Sequence, residues 1–207
     1  MTAGVFLSGV VAWQVAQDPQ LALRVVGPLF LPIVLAQLAA VFALSLLIRK
    51  INPAVAGALY LAYAALTGLT MSVVFLVYTK DSVASVFWVT AFSFAGLSAT
   101  GLFTKRDLGP VGSFCTMGLF GLIGYGLLSM FFPGMQSAEY GMVYSLVGVI
   151  VFAGLTAYDT QKIKLMNERG FMNSDDGSKA AIFGALTLYL DFVNLFLSLL
   201  RLMGKRK

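Results

Sequence analysis

A long apolar stretch near the C-terminus, residues 180–203, constrains the fold most strongly because one carboxylate, Asp191, lies close to its middle. A helix of this length, at about 1.5 Å per residue, spans the ~30 Å hydrocarbon core of a bilayer. An ionised aspartate at that depth costs at least ~2.5 to 3.5 kcal/mol, so its side chain is expected to face the protein interior or a wet cavity. The stretch therefore predicts a membrane-spanning helix with a functional carboxylate.

One face of that predicted helix is polar. Residues three and four positions apart fall on the same side of a helix. Here that side carries Gly184, Thr187, Asp191, Asn194, Ser198 and Arg201. We predict that an ion pathway is lined by Thr187, Asn194 and Ser198 of this face, together with Thr156 of the preceding apolar stretch.

The composition defines the class of protein. Hydrophobic residues make up 59% of the 207 and charged residues 11%, with a mean hydropathy of +0.88. Soluble globular domains do not reach these values, so the chain is predicted to be an all-α polytopic membrane protein. With no histidine and only Cys115, a His/Cys metal site and a histidine proton relay are excluded, so any ion handling must use oxygen ligands.

Seven apolar stretches predict seven transmembrane helices in a single domain over residues 1–207. The predicted spans cover residues 2–16, 25–48, 54–78, 83–104, 108–132, 140–160 and 180–203. The first is short for a span, and we interpret it as the remaining part of a transmembrane helix. Polar residues 167–179 form the one substantial loop.

Basic residues predict the orientation. The links after spans two, four and six carry two, two and four Lys or Arg, against one, one and none after spans one, three and five. Cytoplasmic links carry the excess, so the N-terminus and the loop at 167–179 are expected to face the cytoplasm. The basic C-terminal tail then lies outside if span seven crosses fully, or inside if that span re-enters. The absence of Gly and Pro near Asp191 favours a full crossing.

Because the cations are spread over short links, no nucleic-acid binding is expected.

Only two of the nine acidic residues, Asp159 and Asp191, lie at or within apolar spans. Their helices are sequential and so are expected to pack side by side. Two carboxylates in a low-dielectric interior cannot both ionise cheaply, so they are expected to titrate as a coupled unit. The structural alternative makes Asp159 an interfacial helix end and Asp191 a helix-packing group, bonded to neighbours such as Thr187, Tyr189 or Asn194.

Two segments carry a family resemblance: FAGLTAYDTQKIK at residues 152–164 and ALTLYLDFVNLFLSLLRLMG at residues 185–204. They resemble the signature stretches of the Bax inhibitor (transmembrane Bax inhibitor motif) family, in its prokaryotic branch. The resemblance implies six helices around a central seventh and a pH-dependent calcium leak. It also implies that the pH sensor is an aspartate pair, which maps here onto Asp159 and Asp191.

The resemblance further implies a latch, in which an arginine at the cytoplasmic end of the second span binds the aspartate pair. The candidates here are Arg49 and Lys50. If Lys50 occupies the latch position, the bidentate geometry that arginine offers to a carboxylate is lost.

The leading functional hypothesis is a multi-pass protein of the plasma (cell inner) membrane that leaks calcium when the aspartate pair changes protonation. Its partners are the lipid bilayer, protons and calcium, which contacts Asp159 and Asp191 transiently as the permeant ion, with no cofactor. The alternatives are a modulator of a membrane quality-control protease and a proton-coupled transporter. No enzyme is expected, because the sequence lacks a nucleophile with an adjacent base, a glycine-rich phosphate loop and a GxxD protease dyad.

Overall fold

A computed structural model describes residues 1–47, 50–132, 134, 137–168 and 175–207. Over those residues the chain forms eight α-helices: α1 (Thr2–Gln17), α2 (Pro19–Val26), α3 (Phe30–Leu47), α4 (Pro53–Val77), α5 (Lys80–Phe103), α6 (Gly109–Phe131), α7 (Ala138–Glu168) and α8 (Asp175–Met203). Six of them, α3 to α8, are long and apolar enough to cross a membrane. The all-α polytopic class is therefore confirmed. The seventh span, predicted from residues 2–16, falls in the 16-residue helix α1 and stays a prediction.

The predicted second span begins later than expected. The side chain of Asp18 accepts hydrogen bonds from the amides of Gln20 (2.9 Å) and Leu21 (3.1 Å) and so starts α2 as a separate helix of eight residues. That helix ends at Val26, and Gly27 and Pro28 follow. Proline disfavours helical backbone at the residue before it, which interrupts the apolar run between α2 and α3. The apolar span therefore starts at Phe30 instead of residue 25.

The described residues divide into two compact units. The first contains residues 1–80, 166–189 and 206–207. In this unit α1, α2 and α3 all pack against α4. Their shared apolar cluster consists of Val11, Val15, Ala22, Val25, Ile33, Leu66 and Leu69. A Cβ on Gly68 would come within 2.7 Å of the carbonyl oxygen of Ser8, so glycine is what allows α1 and α4 to approach closely.

The second unit contains residues 81–165 and 190–205. Its buried core is formed by Cys115, Leu122, Val151, Phe152, Leu155 and Leu195. The backbone of Ala157 leaves no room for a side chain at Gly101, and the ring of Tyr158 lies where a Cβ on Gly112 would be. Small residues on α5 and α6 thus seat α7 against them. The single-domain prediction for residues 1–207 stays a prediction.

The helix α8 is unbroken from Asp175 to Met203. Its 29 residues extend about 43 Å at 1.5 Å per residue, enough to cross the hydrocarbon core with length to spare. The backbone is helical on both sides of Asp191, with no break there. The structure therefore favours the full crossing over the re-entrant alternative.

The C-terminal tail lies beside the link between α4 and α5. Arg206 forms an isolated antiparallel bridge with Tyr78, and the amide of Lys207 donates to the carbonyl of Val77 at 3.0 Å. The Lys207 ammonium also donates to the carbonyl of Phe75 at 2.6 Å. The tail therefore lies at the end of α4 whose link carries few basic residues, as a full crossing of α8 requires.

Candidate functional site: a pair of aspartates on α7 and α8

Asp191 lies on α8 in an apolar part of the second unit. Only 4% of its surface is exposed. The next residue, Phe192, packs edge-on against Phe94, with ring centroids 5.5 Å apart. One turn further on, Leu195 belongs to the buried core of the unit. The sequence therefore buries this carboxylate among aromatic and aliphatic side chains.

Asp159 lies on α7 and is half-buried. The structure places its carboxyl group next to that of Asp191, close enough for the two to interact. Lys162, one turn along α7, is the cation that acts on Asp159. The two acids thus differ in their surroundings: one is partly exposed and has a cation nearby, and the other is enclosed.

The contact between the two acids has a chemical consequence. Oδ2 of Asp191 is buried and has no hydrogen-bond donor among the described residues. Ionised carboxylates only accept hydrogen bonds, so two of them cannot bond to each other. Leaving a buried polar atom unsatisfied costs about 1–3 kcal/mol, and more when the group is charged. A proton held on one of the two carboxyl groups supplies the missing donor, so the contact links the structure to proton binding.

The four predicted pathway residues make local hydrogen bonds. Each donates to the backbone carbonyl four residues earlier in its own helix: Thr156 to Phe152 (2.7 Å), Thr187 to Phe183 (3.0 Å), Asn194 to Leu190 (2.8 Å) and Ser198 to Asn194 (2.8 Å). Thr156, Asn194 and Ser198 lie in the second unit with the aspartates, and Thr187 lies in the first. Such bonds satisfy the donors within the helix and leave the oxygens as acceptors. The role of these residues in lining a pathway stays a prediction.

The three predicted local partners of a structural Asp191 each have another hydrogen bond, and the structural alternative stays open. The hydrogen bonds given above take Thr187 and Asn194 to backbone carbonyls. The hydroxyl of Tyr189 pairs instead with Oγ of Ser8 on α1, at 2.5 Å, within the first unit. Tyr189 is fully buried, and the rings of Tyr60 and Tyr63 pack edge-on against it. The polar residues around Asp191 on α8 thus pair with groups other than its carboxylate.

The structure describes only one of the two candidates for the latch. Arg49 lies outside the described residues. Lys50 is exposed in the turn after α3, where its amide donates to the carbonyl of Leu47 at 2.8 Å. A latch at either position stays a prediction.

Gln161 is a polar residue of the site region that the sequence analysis did not single out. It is 7% exposed. Its amide group donates to the carbonyl of Arg106 (2.8 Å), and its Oε1 accepts from the amide of Leu108 (2.9 Å). These bonds tie the α5–α6 loop to α7, two residues after Asp159. Its place in the YDTQ segment, next to a polar loop, was the available signal.

The described residues contain no cluster of three or more His, Cys, Asp or Glu side chains that could hold a metal ion. Asp159 and Asp191 together provide four carboxylate oxygens at most, whereas calcium takes six to eight oxygen ligands. The pair can therefore supply part of a coordination shell, with water completing it.

Six of the helices are long and apolar enough to span a bilayer, and the last two carry the paired acids. The protein is therefore a polytopic helical membrane protein. This chain belongs to the Bax inhibitor-1 family. The family described as "Inhibitor of apoptosis-promoting Bax1" matches residues 1–207, which confirms the resemblance carried by the two signature segments.

Similar proteins occur in several bacteria. The inner membrane protein YbhL of Escherichia coli strain K12 is 45% identical over 212 residues, which cover 100% of this chain and 88% of that protein. A protein of Deinococcus radiodurans is 42% identical, over 100% of this chain and 87% of its own length. YrjE of Lactococcus lactis is 38% identical, over 99% and 86%.

Proposed function

We propose that this protein is a pH-sensitive cation leak channel of the inner membrane, that calcium is its permeant ion, and that the Asp159–Asp191 pair gates it. The observation that carries the proposal is the contact between two carboxyl groups, one of which is enclosed and has an oxygen without a hydrogen-bond partner among the described residues. The membrane is assigned from the relative YbhL, whose name describes an inner membrane protein.

The pair acts as a switch through its charge. Adding or removing one proton changes that charge by one unit, and at about 4 Å such a charge interacts with another by roughly 4 kcal/mol in an effective dielectric of about 20. Moving a two-state equilibrium from 1:99 to 99:1 takes about 5.5 kcal/mol. One proton therefore supplies a large part of what a conformational switch between α7 and α8 requires. The same change alters the attraction of the pair for a passing cation.

The pair serves as a contact point for calcium in transit. Because Asp159 and Asp191 provide only part of the shell of a calcium ion, the ion keeps water and leaves readily. The proposal includes a seventh span in α1 and a central position for α8.

The direct experiment measures calcium entry into liposomes that contain only this protein, over a range of pH. We expect the wild type to pass calcium with a pH-dependent rate. Asp191→Asn keeps the volume of the side chain and removes its charge, so the rate is expected to change about a hundredfold and its pH dependence to flatten. Asp159→Asn is expected to shift the pH midpoint, because this residue acts through its partner's titration.

The matched control is Asp81→Asn, which removes the same charge from an exposed aspartate in the first turn of α5. Its flux and pH profile are expected to match the wild type. A wild type that passes no calcium at any pH rejects the channel and favours a modulator of a membrane protease, which needs no conduction. A flux that requires a proton gradient and saturates with solute favours a proton-coupled transporter. An Asp191→Asn variant with unchanged flux and pH profile reduces the carboxylate to a packing group.

A further inference from the structure

We propose that a cavity between the ends of α6, α7 and α8 binds the phosphate group of a phospholipid. The cavity has a volume of about 260 Å³ and lies within the second unit. Its described lining includes Tyr125, Gly126, Ser129, Gly141, Tyr144 and Arg201. Arg201 is ten residues beyond Asp191, about 15 Å along α8, so the site is separate from the aspartate pair and does not depend on the proposed channel function.

Arg201 gives the cavity its chemistry. Among the described lining residues it is the only charged one, and none of them is a carboxylate. Its guanidinium lies over the ring of Tyr144, 5.5 Å from the centroid. A guanidinium is a planar fork of N–H donors that binds phosphate through two parallel hydrogen bonds, and the cation–π contact with Tyr144 restricts its movement. An anion entering this cavity therefore meets a pre-oriented donor.

The remaining walls leave room for such an anion. The rings of Tyr125 and Tyr144 lie 5.2 Å apart and form an aromatic side. Two further lining residues, Gly126 and Gly141, have no side chain, and a Cβ added at either would meet nothing within 4 Å. The volume is below the ~300–1,000 Å³ typical of sites for drug-sized ligands. It suits a lipid headgroup and excludes a whole lipid molecule.

The surroundings identify the phosphate as part of a lipid. The neighbouring outer surfaces of α6 and α7 expose large apolar side chains, among them Met130 (74%), Phe131 (78%) and Met142 (66%). In a bilayer these surfaces face acyl chains. Arginine and tyrosine at the ends of spanning helices lie at headgroup level. A phospholipid can therefore place its chains along α6 and α7 while its phosphate reaches Arg201.

The test is lipid retention, measured by native mass spectrometry on the full chain purified in detergent with phosphatidylglycerol. Arg201→Gln removes the charge and the fork, and we expect it to lower retention about tenfold. Gly126→Leu fills the cavity without touching Arg201 and is expected to do the same. The matched control is Gly124→Leu on the same helix. There an added Cβ also meets nothing within 4 Å, but the residue does not line the cavity, so wild-type retention is expected.

These measurements support or overturn the proposed phosphate site. Loss of retention in both Arg201→Gln and Gly126→Leu, with Gly124→Leu unchanged, supports the site. Wild-type retention in Gly126→Leu overturns it, even if Arg201→Gln fails to fold. A second arm adds inorganic phosphate to the lipid-free protein and records its melting temperature. If inorganic phosphate, acting through Arg201, raises the melting temperature as much as phosphatidylglycerol does, the assignment to a lipid is overturned.

Discussion

The buried polar groups around Tyr189 in the first unit and around Asp191 in the second are of different chemical kinds. In the first, the groups are neutral and paired: the hydroxyl of Tyr189 meets Ser8 at 2.5 Å, and the amide of Gln37 donates to the hydroxyls of Thr67 (3.4 Å) and Thr70 (3.2 Å). In the second, Asp191 is buried with an oxygen that has no described partner. Neutral hydroxyls complete one another at any pH near neutrality, whereas two carboxyl groups do so only when they hold a proton.

A single helix carries both arrangements. Tyr189 and Asp191 are two positions apart on α8, which places them about 200° apart around the helix axis. The first belongs to the hydroxyl network of the first unit, and the second belongs to the acid pair of the second unit. The comparison predicts that pH acts on the second unit, while the first serves packing.

The largest effect on calcium flux is expected when the charge of Asp191 is removed. Asp191→Asn is expected to change calcium flux about a hundredfold, whereas Tyr189→Phe, at a residue equally buried on the same helix, is expected to leave it within about twofold. Liposome flux over a range of pH measures both. A Tyr189→Phe variant that loses its pH dependence as Asp191→Asn does would break the comparison, because the hydroxyl network would then take part in gating.

The next effect concerns the unfolding free energy and compares two glutamines, Gln161 in the second unit and Gln37 in the first. Gln161→Ala removes two bonds of 2.8 and 2.9 Å and leaves backbone groups of Arg106 and Leu108 unpaired, so we expect a loss of about 2 kcal/mol in unfolding free energy. Gln37→Ala removes only two long bonds and is expected to cost about 0.5 kcal/mol. Unfolding in detergent micelles, followed by circular dichroism, gives both values. Equal losses would contradict this difference between the units.

A smaller effect is expected when the Ser8–Tyr189 hydrogen bond is broken. Tyr189→Phe is expected to lower the unfolding free energy by about 1 kcal/mol, because Ser8 keeps the carbonyls of Gly4 (2.9 Å) and Ala64 (2.7 Å) as acceptors. The loss is expected to be the same from pH 5 to pH 8, since no group titrates in the contact. The same unfolding assay at the two pH values measures it, and a loss that varies between them would show that the first unit is also coupled to protons.

The sequence predicted most helix limits because turn residues mark them. Spans predicted at residues 54–78 and 108–132 match α4 (Pro53–Val77) and α6 (Gly109–Phe131). The break between α2 and α3 was missed because Gly27 and Pro28 stand inside a run that is otherwise apolar. The pairing of Asp159 with Asp191 was predicted from their depth in the apolar spans and from the helix face on which each residue lies. The hydrogen bonds of Thr156 and Ser198 could not be predicted in this way, because residue spacing gives the face of a helix and leaves the side-chain rotamer undetermined.

The bridge between Arg206 and Tyr78 has a practical consequence for topology mapping. A reporter enzyme or affinity tag fused after Lys207 starts from a residue that is bonded to Val77 and Phe75. Its signal therefore reports the side of the membrane on which the α4–α5 link lies as well as the side reached by the C-terminus. A fusion placed directly at Met203, with the tail removed, gives up that bridge. Comparing the two fusions shows whether the tail itself holds the end of the chain in place.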